Sequence, residues 1–193
     1  MSLKLFVFFS LLSSGLAIPA NPLGSIHPHT SDVVVSRSVP HDDDGGSILN
    51  GPISRIEIML RGQYWIDKHV PYSQEKYYPD PAGMKYRTDC SGFVSMALHT
   101  NHPGYNTVSL PEVAVRINWS QLQKGDFVGT LGAGTGGDDG HVVLFHSWKD
   151  SGKTTMKTLE CTGSRGCVVF EREKGFAVGS KNALPYRYKH LKG

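Results

Sequence analysis

The strongest constraint on the fold is a change in the spacing of apolar residues part-way along the chain. Up to about His102 they recur at helical intervals; beyond it they alternate, or run in short blocks between turn residues. Ile56, Met59, Leu60 and Ile66, with Gln63 among them, mark a helix. It opens on Ser54 and Glu57 in capping-box positions and closes at Val70 before Pro71. A polar, Tyr- and Pro-rich connection leads from Pro71 to Arg87. A second helix starts at Thr88-Asp89, either of which can cap it, and carries Cys90, Val94, Ala97 and Leu98 along one side. Five strands are expected after it, over 127–131, 141–148, 154–162, 167–172 and 184–190. Helices first and an antiparallel sheet afterwards is an α+β order.

The N-terminus sets the compartment. Lys4, the apolar run Leu5 to Leu12 and the small residues Ser13, Ser14, Gly15 and Ala17 read as a signal peptide over 1–17. The run is too short to span a bilayer, so the chain is read as secreted, with no membrane association. Residues 18–52 are rich in Pro, Ser and His, with the acidic run Asp42-Asp43-Asp44, and read as a flexible leader or pro-segment. The folded domain is then 53–193. A net charge of +3 without any basic stripe argues against nucleic acid as a partner. A monomer is expected.

The chain holds 3 cysteines, an odd number for an exported protein. Cys161 and Cys167 flank a turn-rich Thr162–Gly166 and, if paired, staple a hairpin or loop. Cys90 is then the free thiol, at the start of a helix whose unpaired N–H groups and dipole favour a thiolate. A thiolate nucleophile needs a base that works near neutral pH, which is histidine chemistry. Of 9 histidines, His141 opens the apolar strand His141-Val142-Val143-Leu144-Phe145 directly after a glycine-rich stretch. His146 has the opposite parity on it. Glu160, on the following strand, can orient the imidazole; Asp138 and Asp139 are rivals by proximity in sequence. The glycine inside Asp89-Cys90-Ser91-Gly92-Phe93-Val94 leaves room for a substrate or for close packing.

That hexapeptide, a Gly-Asp turn at Gly125-Asp126 and then Gly140-His141-Val142 resemble the NlpC family of papain-like cysteine peptidases, which are cell-wall hydrolases. The likeness covers 55–170 and is similar in layout to secreted fungal members. It implies a papain-like domain whose nucleophile helix packs on the sheet, with Cys90 as nucleophile, His141 as base and Glu160 as third residue. It also implies that Tyr72 sits over the thiolate, that Asp89 and Ser91 help bind substrate, and that the substrate is a peptidoglycan stem peptide. The residue after Tyr72 departs from the family, which often has a Gly-Gly pair where Ser73-Gln74 stands. An amidase or acyl-transfer enzyme with another substrate, and a non-catalytic binding protein on the same scaffold, are the alternatives.

Gly129 to Gly134 lacks the Gly-Lys-Ser/Thr ending of a phosphate loop, so no nucleotide is expected. No zinc pattern occurs, and neither metal nor cofactor is expected. Asn118-Trp119-Ser120 is an N-glycosylation sequon.

Overall fold

A computed structural model describes residues 46–193. The signal-peptide reading of 1–17 and the leader from 18 to 45 lie outside the described residues. At the start of the described chain, Ser47 hydrogen-bonds the Glu57 carboxylate and His99 Nδ1, and Asn50 N–H donates to the His99 carbonyl at 2.9 Å.

Helix α1 runs Arg55–Asp67, short of Val70. Ser54 caps it, accepting from Glu57 N–H at 3.1 Å. The capping box is only half made, because the Glu57 carboxylate turns to Ser47 instead of back to Ser54. The buried side is Ile58, Met59, Arg61, Gly62 and Trp65, whereas Ile56, expected inside, is exposed. Two residues mislead the pattern. Arg61 is buried because Asp80 pairs with it at 2.7 Å, and Gly62 is buried because Leu144, Leu159 and Phe93 close on it. A buried charge is tolerated only when paired in this way.

The connection expected between the helices is instead a hairpin of β1 (Ser73–Pro79) and β2 (Lys85–Thr88), irregular between Ser73 and Tyr77. Its exposed first strand carries polar side chains outward, so it lacks the alternation that marks a half-buried strand. Helix α2 (Cys90–Ala97) follows at once and is buried along its whole length.

The remaining strands are β3 (Ala114–Arg116), β4 (Phe127–Gly129), β5 (Val142–Trp148), β6 (Thr155–Thr162), β7 (Gly166–Glu173), the short pair β8 (Ala177–Val178) and β9 (Lys181–Asn182), and β10 (Leu184–Tyr188). The main sheet has six strands, not the expected five, in the order β3-β10-β4-β5-β6-β7. All its neighbours are antiparallel. The added edge strand, β3, is too short to show a period. The architecture is therefore mixed α+β, with two helices on a mostly antiparallel sheet.

Each sheet face has its own apolar cluster. Val142, Leu144, Leu159 and Cys161 face the helices and pack with Trp65, Phe93 and Cys90. Val128, Val143, Phe145 and Met156 form a smaller cluster on the other side with Leu122 and Ala183. Cys161 and Cys167 are opposite each other in the β6–β7 register and are disulfide-bonded, stapling that hairpin. Asn118 of the sequon is exposed at the start of the 3₁₀ turn Trp119–Gln121. Among the described residues, no helix is long and apolar enough to cross a membrane.

Candidate active site

Asp89 organises the segment that carries Cys90. Its Oδ1 accepts from Gly92 N–H at 2.6 Å and from the Ser91 hydroxyl at 3.2 Å, capping α2; its Oδ2 pairs with Arg87 Nε at 3.0 Å. Arg87 is held in turn by the carbonyls of Gly104 and Tyr105, at 3.0 and 2.8 Å. Cys90 thus begins the helix on a rigid corner. Gly92 serves close packing: a β-carbon there would stand 2.1 Å from the Arg87 carbonyl oxygen.

The expectation that the helix terminus lowers the thiol's pKa is overturned. Cys90 is 6 % exposed. Burial pushes its thiol up to about 12, with the Asp89 carboxylate adding to the effect. The N–H groups of Val142, Ser91 and Cys90 act the other way and are outweighed. Desolvation of the charged form wins because so little water reaches the sulfur.

His141 lies between Gly140 and β5, gripped at its backbone by one residue. Its N–H donates to Thr130 Oγ1 at 3.0 Å, and its carbonyl accepts from Thr130 N–H at 2.9 Å. Its Nε2 is 2.7 Å from Oε2 of Glu160, a fully buried carboxylate on β6. The register pairs Leu144 with Leu159, which sets Glu160 beside the start of β5. The Phe176 ring stands against the imidazole, centroids 6.0 Å apart. Among the described residues Nδ1 takes no hydrogen bond. The Val142 N–H that faces the Cys90 sulfur belongs to the next residue, so thiol and imidazole meet the same strand end. They are not hydrogen-bonded to each other.

The rivals lie elsewhere. Asp138 Oδ1 accepts from Gln74 Nε2 at 3.0 Å, across to β1, and Asp139 is exposed. His146 sits on the other side of β5 in a separate cavity of about 260 Å³, with Arg55, Met59, Leu60 and Lys124.

A polar cavity of about 280 Å³ opens over Cys90. Tyr72, Asp89 and Ser91 line it, together with Gln74, Arg87, Asn106 and Thr107, which sequence reasoning missed; His141 is not among its lining residues. Gln74 Nε2 donates to the Tyr72 hydroxyl at 3.3 Å. Burial raises the Tyr72 pKa, outweighing the Gln74 bond, and the nearby Cys90 and Asp89 add to the rise. Tyr72 is therefore an O–H donor at neutral pH. Arg172 was also missed: its Nε lies 3.2 Å from both Glu160 oxygens and its Nη2 3.1 Å from Oε1. Its parity on β7 was readable, but not which strand it would face. Among the described residues, no cluster of His, Cys, Asp and Glu is arranged to hold a metal ion.

No family model matches the chain, and no curated protein matches it. Among solved structures, the P60 domain of an antigen from M. avium subspecies paratuberculosis is similar over 67 % of this chain and 92 % of that one. Identity is 19 % and the TM-score 0.40. A likeness this distant assigns neither fold nor activity, and both rest on the chain's own residues.

Proposed function

We propose that this chain is a secreted hydrolase of amide bonds, with a papain-like domain over 53–193 in which Cys90 is the nucleophile, His141 its base and Glu160 the group that orients the base. One observation carries the reading. The only free cysteine among the described residues starts a helix and lines a polar cavity, while His141, just before β5, has one ring nitrogen engaged by a buried carboxylate and the other unengaged.

The chemistry follows from those positions. Because the resting thiol is protonated, His141 Nδ1 takes the Sγ proton as the sulfur attacks the amide carbonyl carbon. The Tyr72 hydroxyl and the Cys90 N–H suit the oxyanion that forms. The tetrahedral intermediate collapses, the C–N bond breaks, and the leaving amine carries away the proton held on Nδ1. Water, deprotonated by the same nitrogen, then splits the thioester to a free carboxylic acid and restores the thiol. Asp89 and Ser91 border the cavity where the peptide would lie. Asp89 already caps the helix and pairs with Arg87, so it would bind substrate from a fixed position. The substrate, a peptidoglycan stem peptide cut between D-glutamate and a diamino acid, rests on the resemblance in sequence. The disulfide agrees with an oxidising, extracellular setting.

A second reading, a binding protein on the same scaffold, is favoured by the burial and raised pKa of Cys90. Digestion of purified stem peptides by the mature protein, read by mass spectrometry beside Cys90→Ala, separates the two. Cleavage by the wild type alone supports the hydrolase and identifies the bond. No cleavage, with Cys90 alkylation indifferent to His141→Gln, gives the binding protein.

A further inference from the structure

Glu160 is shared. Its carboxylate contacts His141 Nε2 at 2.7 Å and the Arg172 guanidinium through Nε and Nη2. Arg172 Nη2 also comes within 3.3 Å of His141 Nε2. A guanidinium only donates hydrogen bonds, and an ionised carboxylate only accepts them. The shorter contact decides the assignment: Nε2 carries the hydrogen and gives it to Glu160, and the 3.3 Å approach is two donors converging on one carboxylate. The neutral imidazole is then the Nε2–H tautomer, with its lone pair on Nδ1.

We propose that Arg172 is a positioning residue for the Cys90–His141 pair: by gripping both oxygens of Glu160 beside the imidazole, it holds His141 in the tautomer whose Nδ1 can accept the thiol proton. The inference rests on the proposed role of His141 as base. Arg172 is itself fixed. Its guanidinium lies 5.0 Å from the Phe170 ring centroid and 5.3 Å from that of Phe176, and Phe176 is the ring that also stands against His141. Its side chain is 25 % exposed, so the grip is only partly screened by water. Without that grip, Glu160 keeps one charged-group contact fewer and turns about its terminal torsion, which has no sharp minimum of its own. An imidazole that is no longer held can place its hydrogen on Nδ1, and in that form it cannot take a proton from the sulfur.

Imidazole ¹⁵N–¹H correlation spectra of the mature protein at mildly alkaline pH read the tautomer directly, with His141 assigned by its loss in His141→Gln. Wild type is expected to give the Nε2–H pattern alone. Arg172→Met is expected to add the Nδ1–H pattern, and Arg172→Lys, which keeps the charge without the fork, to fall between. Stem-peptide cleavage by Arg172→Met should lose roughly tenfold to a hundredfold in kcat with KM held within about twofold. An unchanged tautomer in a folded Arg172→Met overturns the inference and leaves the hydrolase reading intact. If that variant does not fold, the Lys variant decides, and a pure Nε2–H pattern in it overturns the inference. A shifted tautomer beside a wild type that cuts no stem peptide supports the positioning role of Arg172 and discards that substrate; the hydrolase reading falls only if Cys90 alkylation is also indifferent to His141→Gln.

Discussion

Gly92→Ala tests whether the corner at the start of α2 is as tightly built as its distances require. The new β-carbon would meet the Arg87 carbonyl oxygen at 2.1 Å, the Arg87 carbonyl carbon at 2.8 Å and Asp89 Oδ1 at 2.9 Å. Ordinary contact begins near 3.4 Å, so helix or strand must retreat by more than about 1 Å, as overpacked cores do at a cost. Arg87 is poorly placed to move. Its N–H donates to the Pro103 carbonyl at 3.1 Å, and its guanidinium to Gly104, Tyr105 and Asp89. Overpacking against a backbone atom belongs at the upper end of about 1–3 kcal/mol, while exchanging glycine for alanine in a helix returns about 1 kcal/mol. The net loss is therefore about 2 kcal/mol. Gly62→Ala in α1 is the control. Its β-carbon would meet only side-chain tips of Leu144, Leu159 and Phe93, at 3.1, 3.3 and 3.4 Å, which can shift by tenths of an ångström. It should stay within about 1 kcal/mol of wild type. Urea unfolding at constant m-value measures both. A Gly92→Ala protein as stable as Gly62→Ala would refute the packing argument.

Other outcomes follow from the same contacts. Asp126 is a fully buried carboxylate holding Arg55 at 3.0 Å, Arg187 at 2.8 Å and the Gln123 N–H at 2.8 Å. Asp126→Ala should cost about 3 kcal/mol in urea unfolding. The Cys90 alkylation rate of the folded fraction should stay unchanged, because this part of the Gly-Asp turn builds the sheet and not the cavity. Native Cys90 should be alkylated by iodoacetamide near neutral pH at least about a hundredfold more slowly than in urea, since burial holds the thiol up at about 12 and little thiolate forms. The sign carries over to stability. The folded state keeps a proton that the unfolded thiol releases, so the contribution is full below the unfolded value and is lost as pH rises toward 12. On the proposed role of His141 as base, His141→Gln should slow native alkylation further; equal native and denatured rates would contradict the burial account. Replacing Cys161 and Cys167 together by alanine should cost about 2 kcal/mol, the entropy of closing so short a loop, read as a drop in Tm.

Legibility in the sequence follows the range of the interactions involved. Helix α2 can be read because its signals are local: Asp89 caps it from the adjacent position, and no proline or polar run interrupts it. Helix α1 can be read as a helix but not in its orientation, because Arg61 and Gly62 look like surface residues until Asp80 and the β5–β6 side chains are in place. The β1–β2 hairpin has no apolar alternation to reveal it. The Cys90 thiol divides in the same way. The helix terminus that would stabilise a thiolate is local and visible, whereas the burial that overrides it belongs to the assembled core of which Cys90 is part.

His141 and Glu160 lie 19 residues apart and meet only because β5 and β6 pair in the register that sets Leu144 opposite Leu159. Sliding one strand by a single residue would send Glu160 to the helix side of the sheet, where Leu159 and Cys161 now pack. The third partner, Arg172, needs a second register to be correct, β6 against β7, and it reaches back along its strand from the position opposite Met156. A site assembled through two successive pairings can be guessed from parity but not located by it. The disulfide at Cys161–Cys167 locks the second of those pairings next to Glu160 itself. The same bond that staples the hairpin therefore also fixes the register on which the alignment of Glu160 with Arg172 depends.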